Sequence, residues 1–172
     1  MTPPVVSDVL IGDDFSGSSL GSEWGTGGGS WVQHDGVLSQ SALQWGDSQK
    51  AMVVDRAYPA DVEVSARVRV DSWAGGDGAR AGVSLAQTDD GLGYNLLFRD
   101  GGVEFLDDRV AWGNYYSFAW RVGAWYRFKL RSAGGVLYGK VWEEGVGEPS
   151  PRRYPRRRSV SLWWRHPRSP GR

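Results

Sequence analysis

Asp61-Val62-Glu63-Val64-Ser65-Ala66-Arg67-Val68-Arg69-Val70 decides the fold. Val62, Val64, Ala66, Val68 and Val70 alternate without a break with Asp61, Glu63, Ser65, Arg67 and Arg69. A helix would spread such a period-two pattern around its circumference, whereas a strand sends successive side chains to opposite faces. The segment is therefore predicted to be a strand with one buried and one wet face, as in an antiparallel sheet.

The same alternation recurs on both sides. Arg80 to Ala86 aligns Ala81, Val83 and Leu85; Gly93 to Arg99 aligns Tyr94, Leu96 and Phe98; Trp125 to Arg131 sets Tyr126, Phe128 and Leu130 against Arg127, Lys129 and Arg131. Val136 to Trp142 is a further strand, with shorter ones expected at Trp31–His34, Val37–Gln40, Lys50–Val54, Gly102–Leu106 and Tyr116–Trp120. Asp35-Gly36, Asp77-Gly78, Asp90-Gly91 and Asp100-Gly101-Gly102 fall between these runs, where residues tolerant of left-handed backbone belong. No stretch of a dozen residues keeps a helical apolar period without a glycine interrupting it. Ten Trp, seven Tyr, five Phe and 25 Gly point the same way, because aromatics suit pleated surfaces and glycine suits tight turns. The expectation is an all-β, antiparallel two-sheet β-sandwich.

Charge divides the chain unevenly. Residues 1–150 hold all 20 acids and 12 of the 20 Lys and Arg, a net charge of −8, while residues 151–172 hold eight Arg and no acid. Five of the eight prolines lie from Pro149 onward. Proline removes ladder donors and like charges repel, so this stretch is expected to stand apart from the sandwich, disordered or aberrant; only Ser159–Trp164 suits a short edge strand. The predicted organisation is an N-terminal extension at 1–7, a sandwich at 8–150 and an Arg/Pro-rich tail at 151–172. There is no cysteine, which excludes disulfides and thiolate metal sites. No signal peptide is visible in Met1 to Asp14, and no apolar run reaches the roughly 18 residues of a membrane span.

Several short pieces occur in an order that resembles the concanavalin A-like lectin/glucanase superfamily, in its laminin-G-like jelly-roll branch. They are Asp13-Asp14-Phe15 with Leu20 and Trp24, Trp31 with Asp35-Gly36-Val37-Leu38, Val62–Val70, Ala81-Gly82-Val83, Gly93-Tyr94, Trp125-Tyr126-Arg127-Phe128-Lys129-Leu130, and Gly139-Lys140-Val141-Trp142 with Glu148-Pro149. The resemblance implies a jelly roll with ligands on a concave face or edge loops, and an extracellular or cell-surface setting. It also implies a structural Ca2+, with Asp14 as candidate ligand, where the plain alternative is a turn residue; no other cofactor is expected. Members of this group close with further strands where this chain has its Arg/Pro-rich stretch, so the sandwich is expected to lack its last strand or strands. Such a composition is what a shifted reading frame of a GC-rich gene yields; sequencing past the stop codon and finding no sandwich-like continuation in another frame would count against that origin.

Catalysis finds little footing. Glycoside hydrolysis needs two carboxyls about 5–9.5 Å apart, and the superfamily's glucanases carry Glu-x-Asp-x-x-Glu, which is missing here. Glu104 and Asp107 have the wrong spacing, and Glu143 and Glu144 are adjacent, which on a strand sends them to opposite faces. His34 and His166 are far apart with no cysteine to join them. Gly25–Gly29 reads as a flexible loop. Aromatic side chains are the better candidates, because flat ring faces pack under sugar C–H groups while amides and charges take the hydroxyls. Trp45, Trp73, Trp112, Tyr115, Tyr116 and Trp120 lie outside the clean alternation, with Asn114 and Arg99 as polar partners; burial in the core is the competing explanation for each. Arg67, Arg69, Arg99 and Arg127 are expected either to line the same surface or to be solvated.

The function expected is that of a non-catalytic carbohydrate-binding, adhesive or structural module, its partner a glycan or cell-surface polysaccharide. One alternative is a sugar-processing hydrolase with a different active-site plan on the same fold. Another is anionic-polymer or nucleic-acid binding through the tail, whose arginines would displace phosphate counterions and whose Tyr154, Trp163 and Trp164 would stack on bases.

Overall fold

A computed structural model of the chain describes residues 9–42, 49–53, 57–76, 78–85, 92–108, 111–150 and 159–165, with backbone alone at 111–113 and 159–165. Twelve strands and no helix occur among the described residues. They fall in two compact units, Met1–Arg56 and Ala57–Arg172.

The first unit holds β1 (Trp24–Gly27), β2 (Trp31–His34), β3 (Val37–Gln40) and β4 (Lys50–Val53). β1 pairs with β4 and β2 with β3, all antiparallel. Asp35 and Gly36 link β2 to β3 with φ of 50° and 73°, the two left-handed residues of a turn whose twist matches a hairpin. β1 corrects the expectation of a flexible loop at Gly25–Gly29: a ladder needs only N–H and C=O groups, and Gly27 pairs with Lys50 despite its lack of a side chain.

The second unit carries β5 (Val62–Arg69), β6 (Ala81–Leu85), β7 (Tyr94–Arg99), β8 (Gly102–Asp107), β9 (Ala111–Ser117), β10 (Trp125–Ala133), β11 (Val136–Glu143) and β12 (Ser159–Arg165). They form two four-stranded antiparallel sheets, in the orders β12-β11-β10-β5 and β6-β7-β8-β9. The sheets face each other across one apolar core, so this unit is an antiparallel β-sandwich. Val64, Ala66 and Val68 lie opposite Leu130, Phe128 and Tyr126 and pack inward, as the alternation requires. Val83, Leu85, Leu96, Phe98, Val103 and Phe105 meet them from the other sheet. Phe98 sits at the centre, its ring 4.8 Å from Phe128, 5.2 Å from Tyr126 and 4.6 Å from Trp120. Burying such a ring contributes about 1.5–3 kcal/mol, and each well-placed aromatic pair about 0.5–1.5 kcal/mol more. A Cβ on Gly139 would lie 2.8 Å from Phe105 Cζ and 3.1 Å from Leu96 Cδ2, so the absence of a side chain there lets the sheets close.

Two expectations need correction. β9 runs over Ala111–Ser117 rather than Tyr116–Trp120, with an irregularity against β8 between Glu104 and Leu106. Tyr116 stays in the ladder opposite Val103, and Phe118 and Trp120, beyond its end, still pack on the core. Ser159–Arg165 forms an outer strand antiparallel to β11, from Trp142↔Ser159 to Val136↔Arg165. A short edge strand is expected over Ser159–Trp164, so this part of the tail does not stand apart from the sandwich. That segment contains no proline, so its backbone donors are available. Residues 151–158 and 166–172 lie outside the described residues, as do the predicted turns at Asp77 and Asp90-Gly91.

Candidate functional site

The register of β7, β8 and β9 assembles a polar cluster on the face turned away from the core. Leu97 pairs with Glu104, Glu104 with Tyr115 and Arg99 with Gly102, so these side chains share one face, opposite to Phe98 and Val103. Glu104 is only 1% exposed. The Nε–H of Arg80 donates to one of its carboxylate oxygens, and Nη1 of Arg99 donates to the other at 3.1 Å. Arg80 also donates to its neighbour's carbonyl, Ala79 O, at 2.7 Å, which fixes its direction. A charge this deeply withdrawn from water is tolerated only when paired and hydrogen-bonded, and the two guanidiniums meet both conditions.

Tyr115 lies over this cluster. Its ring centre is 5.1 Å from the Arg99 guanidinium, and a Cβ on Gly102 would come within 2.4 Å of Tyr115 Cε2. Glycine at 102 therefore makes room for the ring to lie across the β7–β8 hairpin, and the cation beside it adds attraction. Tyr115 nevertheless remains 46% exposed. Asn114, also exposed, donates from Nδ2 to the Tyr116 hydroxyl at 3.3 Å.

The segment before β6 is tied to the same hairpin. Trp73 Nε1–H donates to Asp100 Oδ1 and the Gly76 amide to Oδ2 at 2.9 Å. These bonds, the Trp73 indole first, hold the Asp100 carboxyl below its ordinary pKa. The Trp73 ring stands edge-on to Trp120 at 4.8 Å, and Trp120 Nε1–H donates to Arg99 O at 2.8 Å. At the far end of the face, buried Asn95 accepts from the Ser84 hydroxyl and donates to Asp108 Oδ2 at 3.0 Å.

The structure thus sorts the predicted residues. Arg99 and Tyr115 share the outer face of the β7–β9 region, whereas Asn114, one residue before Tyr115 on β9, is on the other face, bonded to core-packed Tyr116. Trp73, Tyr116 and Trp120 pack against the core and are walls rather than free platforms. Trp45 lies outside the described residues, and of Trp112 only the backbone pairing with Leu106 is described. Arg67, Arg69 and Arg127 do not join Arg99: they belong to the outer face of the other sheet. Arg80 was missed, because nothing in its local sequence shows that it reaches across to Glu104. Trp142, expected in the core, is buried but lies in register with Arg127 on the outer side, where it is not part of the core cluster.

What this arrangement can do chemically follows from its occupied atoms. Both oxygens of Glu104 and both of Asp100 accept hydrogen bonds from the chain itself. Glu104 and Asp107 point to opposite faces of β8, since Asp107 pairs with core-facing Tyr94. Neither arrangement is the pair of free carboxyls that hydrolysis requires. Among the described residues no group of three or more His, Asp or Glu is placed to hold a metal ion. Asp14 accepts from the Ser16 amide at 3.0 Å in a local turn, and bonding to Ser16, its hydroxyl first, lowers the carboxyl pKa. Comparison with family models, curated proteins and solved structures finds no match to this chain.

Proposed function

We propose that the chain is a non-catalytic binding module, a carbohydrate-binding or adhesive β-sandwich of concanavalin A-like type, whose ligand rests on the outer face of the β6–β9 sheet against Tyr115 and Arg99. One observation carries this reading: an aromatic ring is held in place by a glycine beneath it and a guanidinium beside it, yet stays nearly half exposed. Packing alone gives no reason to brace an exposed ring, whereas sugar recognition needs a fixed ring with polar donors such as a guanidinium at its rim. The chain's resemblance to the concanavalin A-like superfamily supports the same reading. Full engagement of Glu104 and Asp100 favours binding over the hydrolase alternative.

The test is a glycan array probed with the wild-type chain and with Tyr115→Ala. At least one glycan is expected to be retained by the wild type and to lose about tenfold or more in affinity with the variant, consistent with an aromatic hot spot worth more than 1 kcal/mol. Equal retention of the two proteins, or no retained glycan at all, would sink the reading.

A further inference from the structure

The outer face of the β12-β11-β10-β5 sheet carries cations in a register that a sheet left to itself avoids. Arg67 lies directly opposite Arg127, and Lys129 directly opposite Lys140. Like charges in directly opposed positions are destabilising. Neither pair is relieved by an acid on the strands. One segment following β11 relieves both. Glu144 accepts from Arg67 Nη2 at 2.8 Å and Arg127 Nη2 at 3.2 Å, and Glu148 accepts from Lys129 Nζ at 2.9 Å and Lys140 Nζ at 2.7 Å. The cation pairs are offset by two residues and one strand, so their centres are about 8 Å apart on strand geometry. Trp125 braces the row, with the guanidiniums of Arg67 and Arg69 at 4.7 and 4.8 Å from its ring. Exposed Tyr138 and Arg131, opposite one another, extend it.

We propose that this face docks an acidic peptide segment of a partner protein, and that Glu144–Glu148 is a built-in occupant which such a segment displaces. The seats are two paired cations, each closed by one peptide carboxylate, and the carboxylates stand four residues apart on Glu-Gly-Val-Gly-Glu. That is the chemistry of the ligand already written into the chain. All the ion pairs involved are at the surface and partly exposed, where such pairs contribute little to stability. Exchanging one acidic peptide for another then gives up little ion-pair energy, and an external segment must offset its lost freedom and the tether of the built-in one with more carboxylates matched to the row.

The experiment uses the full chain carrying Glu144→Gln and Glu148→Gln, with a fluorescent Glu-Gly-Val-Gly-Glu peptide followed by anisotropy at low ionic strength. The double variant is expected to bind about tenfold more tightly than the wild type, to lose that gain with Lys140→Gln added, and to weaken as salt screens the charges. Equal binding by wild type and variant overturns the proposal, as does equal binding of Gln-Gly-Val-Gly-Gln, or capture of a polyuronate in place of the peptide. If the double variant lacks a cooperative unfolding transition, the wild type is titrated with excess peptide. A saturable change in tryptophan fluorescence, absent in Lys140→Gln, then supports the proposal and no saturation ends it. Tyr115→Ala is expected to leave these results unchanged, which separates this face from the glycan platform.

Discussion

Glu104 and Glu144 each sit between two arginines, on opposite outer faces of the same sandwich, and differ chiefly in their access to water. Glu104 is 1% exposed, enclosed by Arg80 and Arg99, whereas the Glu144 side chain is 33% exposed between Arg67 and Arg127. Where the shared carboxylate is shut off from water, removing it leaves Arg80, 14% exposed, and Arg99, 32% exposed, without their common counter-ion, whereas removing one arginine leaves a buried carboxylate half paired. Where water has access, each charge can be rehydrated, and the bridge is exchangeable. One motif thus makes a rigid support beneath Tyr115 and a replaceable latch on the other sheet. Burial, rather than the list of paired residues, assigns the roles.

The largest effect expected from this contrast is at Glu104. Glu104→Ala removes the buried carboxylate that pairs both Arg80 and Arg99 and leaves the two guanidiniums facing each other, partly screened by water at Arg99. It is expected to cost about 3 kcal/mol, measured by urea unfolding. A cost below about 1 kcal/mol, the range of exposed pairs, would put Glu104 in the same class as Glu144 and erase the comparison. Trp73→Phe comes next. It removes the indole donor from Asp100 but keeps an aromatic ring at 73, and an NMR titration is expected to show the Asp100 pKa rising toward its ordinary value. An unmoved Asp100 titration would mean that the indole bond does not hold the Ser72–Arg80 segment.

The smallest effect is expected at Glu148, whose carboxyl is held below its ordinary pKa by Lys140 first and Lys129 second. A carboxyl lowered on folding contributes stability that is present above its unfolded pKa and disappears as pH falls through the lower folded value. Because the Glu148 side chain is 38% exposed, the whole contribution is expected to stay below about 1 kcal/mol. Thermal unfolding followed from neutral to acid pH is expected to show Glu148→Gln with a slightly flatter acid limb than the wild type. A steeper one would reverse the assigned sign.

The legibility of the chain follows the range of the forces involved. Val62–Val70 reveals its inward face from sequence because strand geometry alone carries every second side chain to the same side. Asp35-Gly36 reveals a hairpin because left-handed backbone is a property of two residues. The strand expected over Tyr116–Trp120 ends at Ser117, yet Phe118 and Trp120 pack on the core, because side chains can be buried where the chain skirts a core without a ladder continuing. Tyr115 and Arg99 could be picked out as candidates, but their contact with each other could not, since it depends on Gly102 and on the pairing of β8 with β9. The role of Glu104 was illegible, because Arg80 is 24 residues away from it and only the closure of β6 on β7 and of β7 on β8 brings them together.

By itself, then, the sequence determined an all-β chain and the inward faces of its main strands, because those depend on neighbouring residues and on composition. Only the tertiary structure decided that Arg99 and Arg67 belong to opposite faces, that Trp73 and Trp120 pack against the core while Tyr115 stays half exposed, and that one glutamate is buried while another is in reach of water. Those outcomes rest on strand register and access to water, which arise from contacts between residues far apart in the chain.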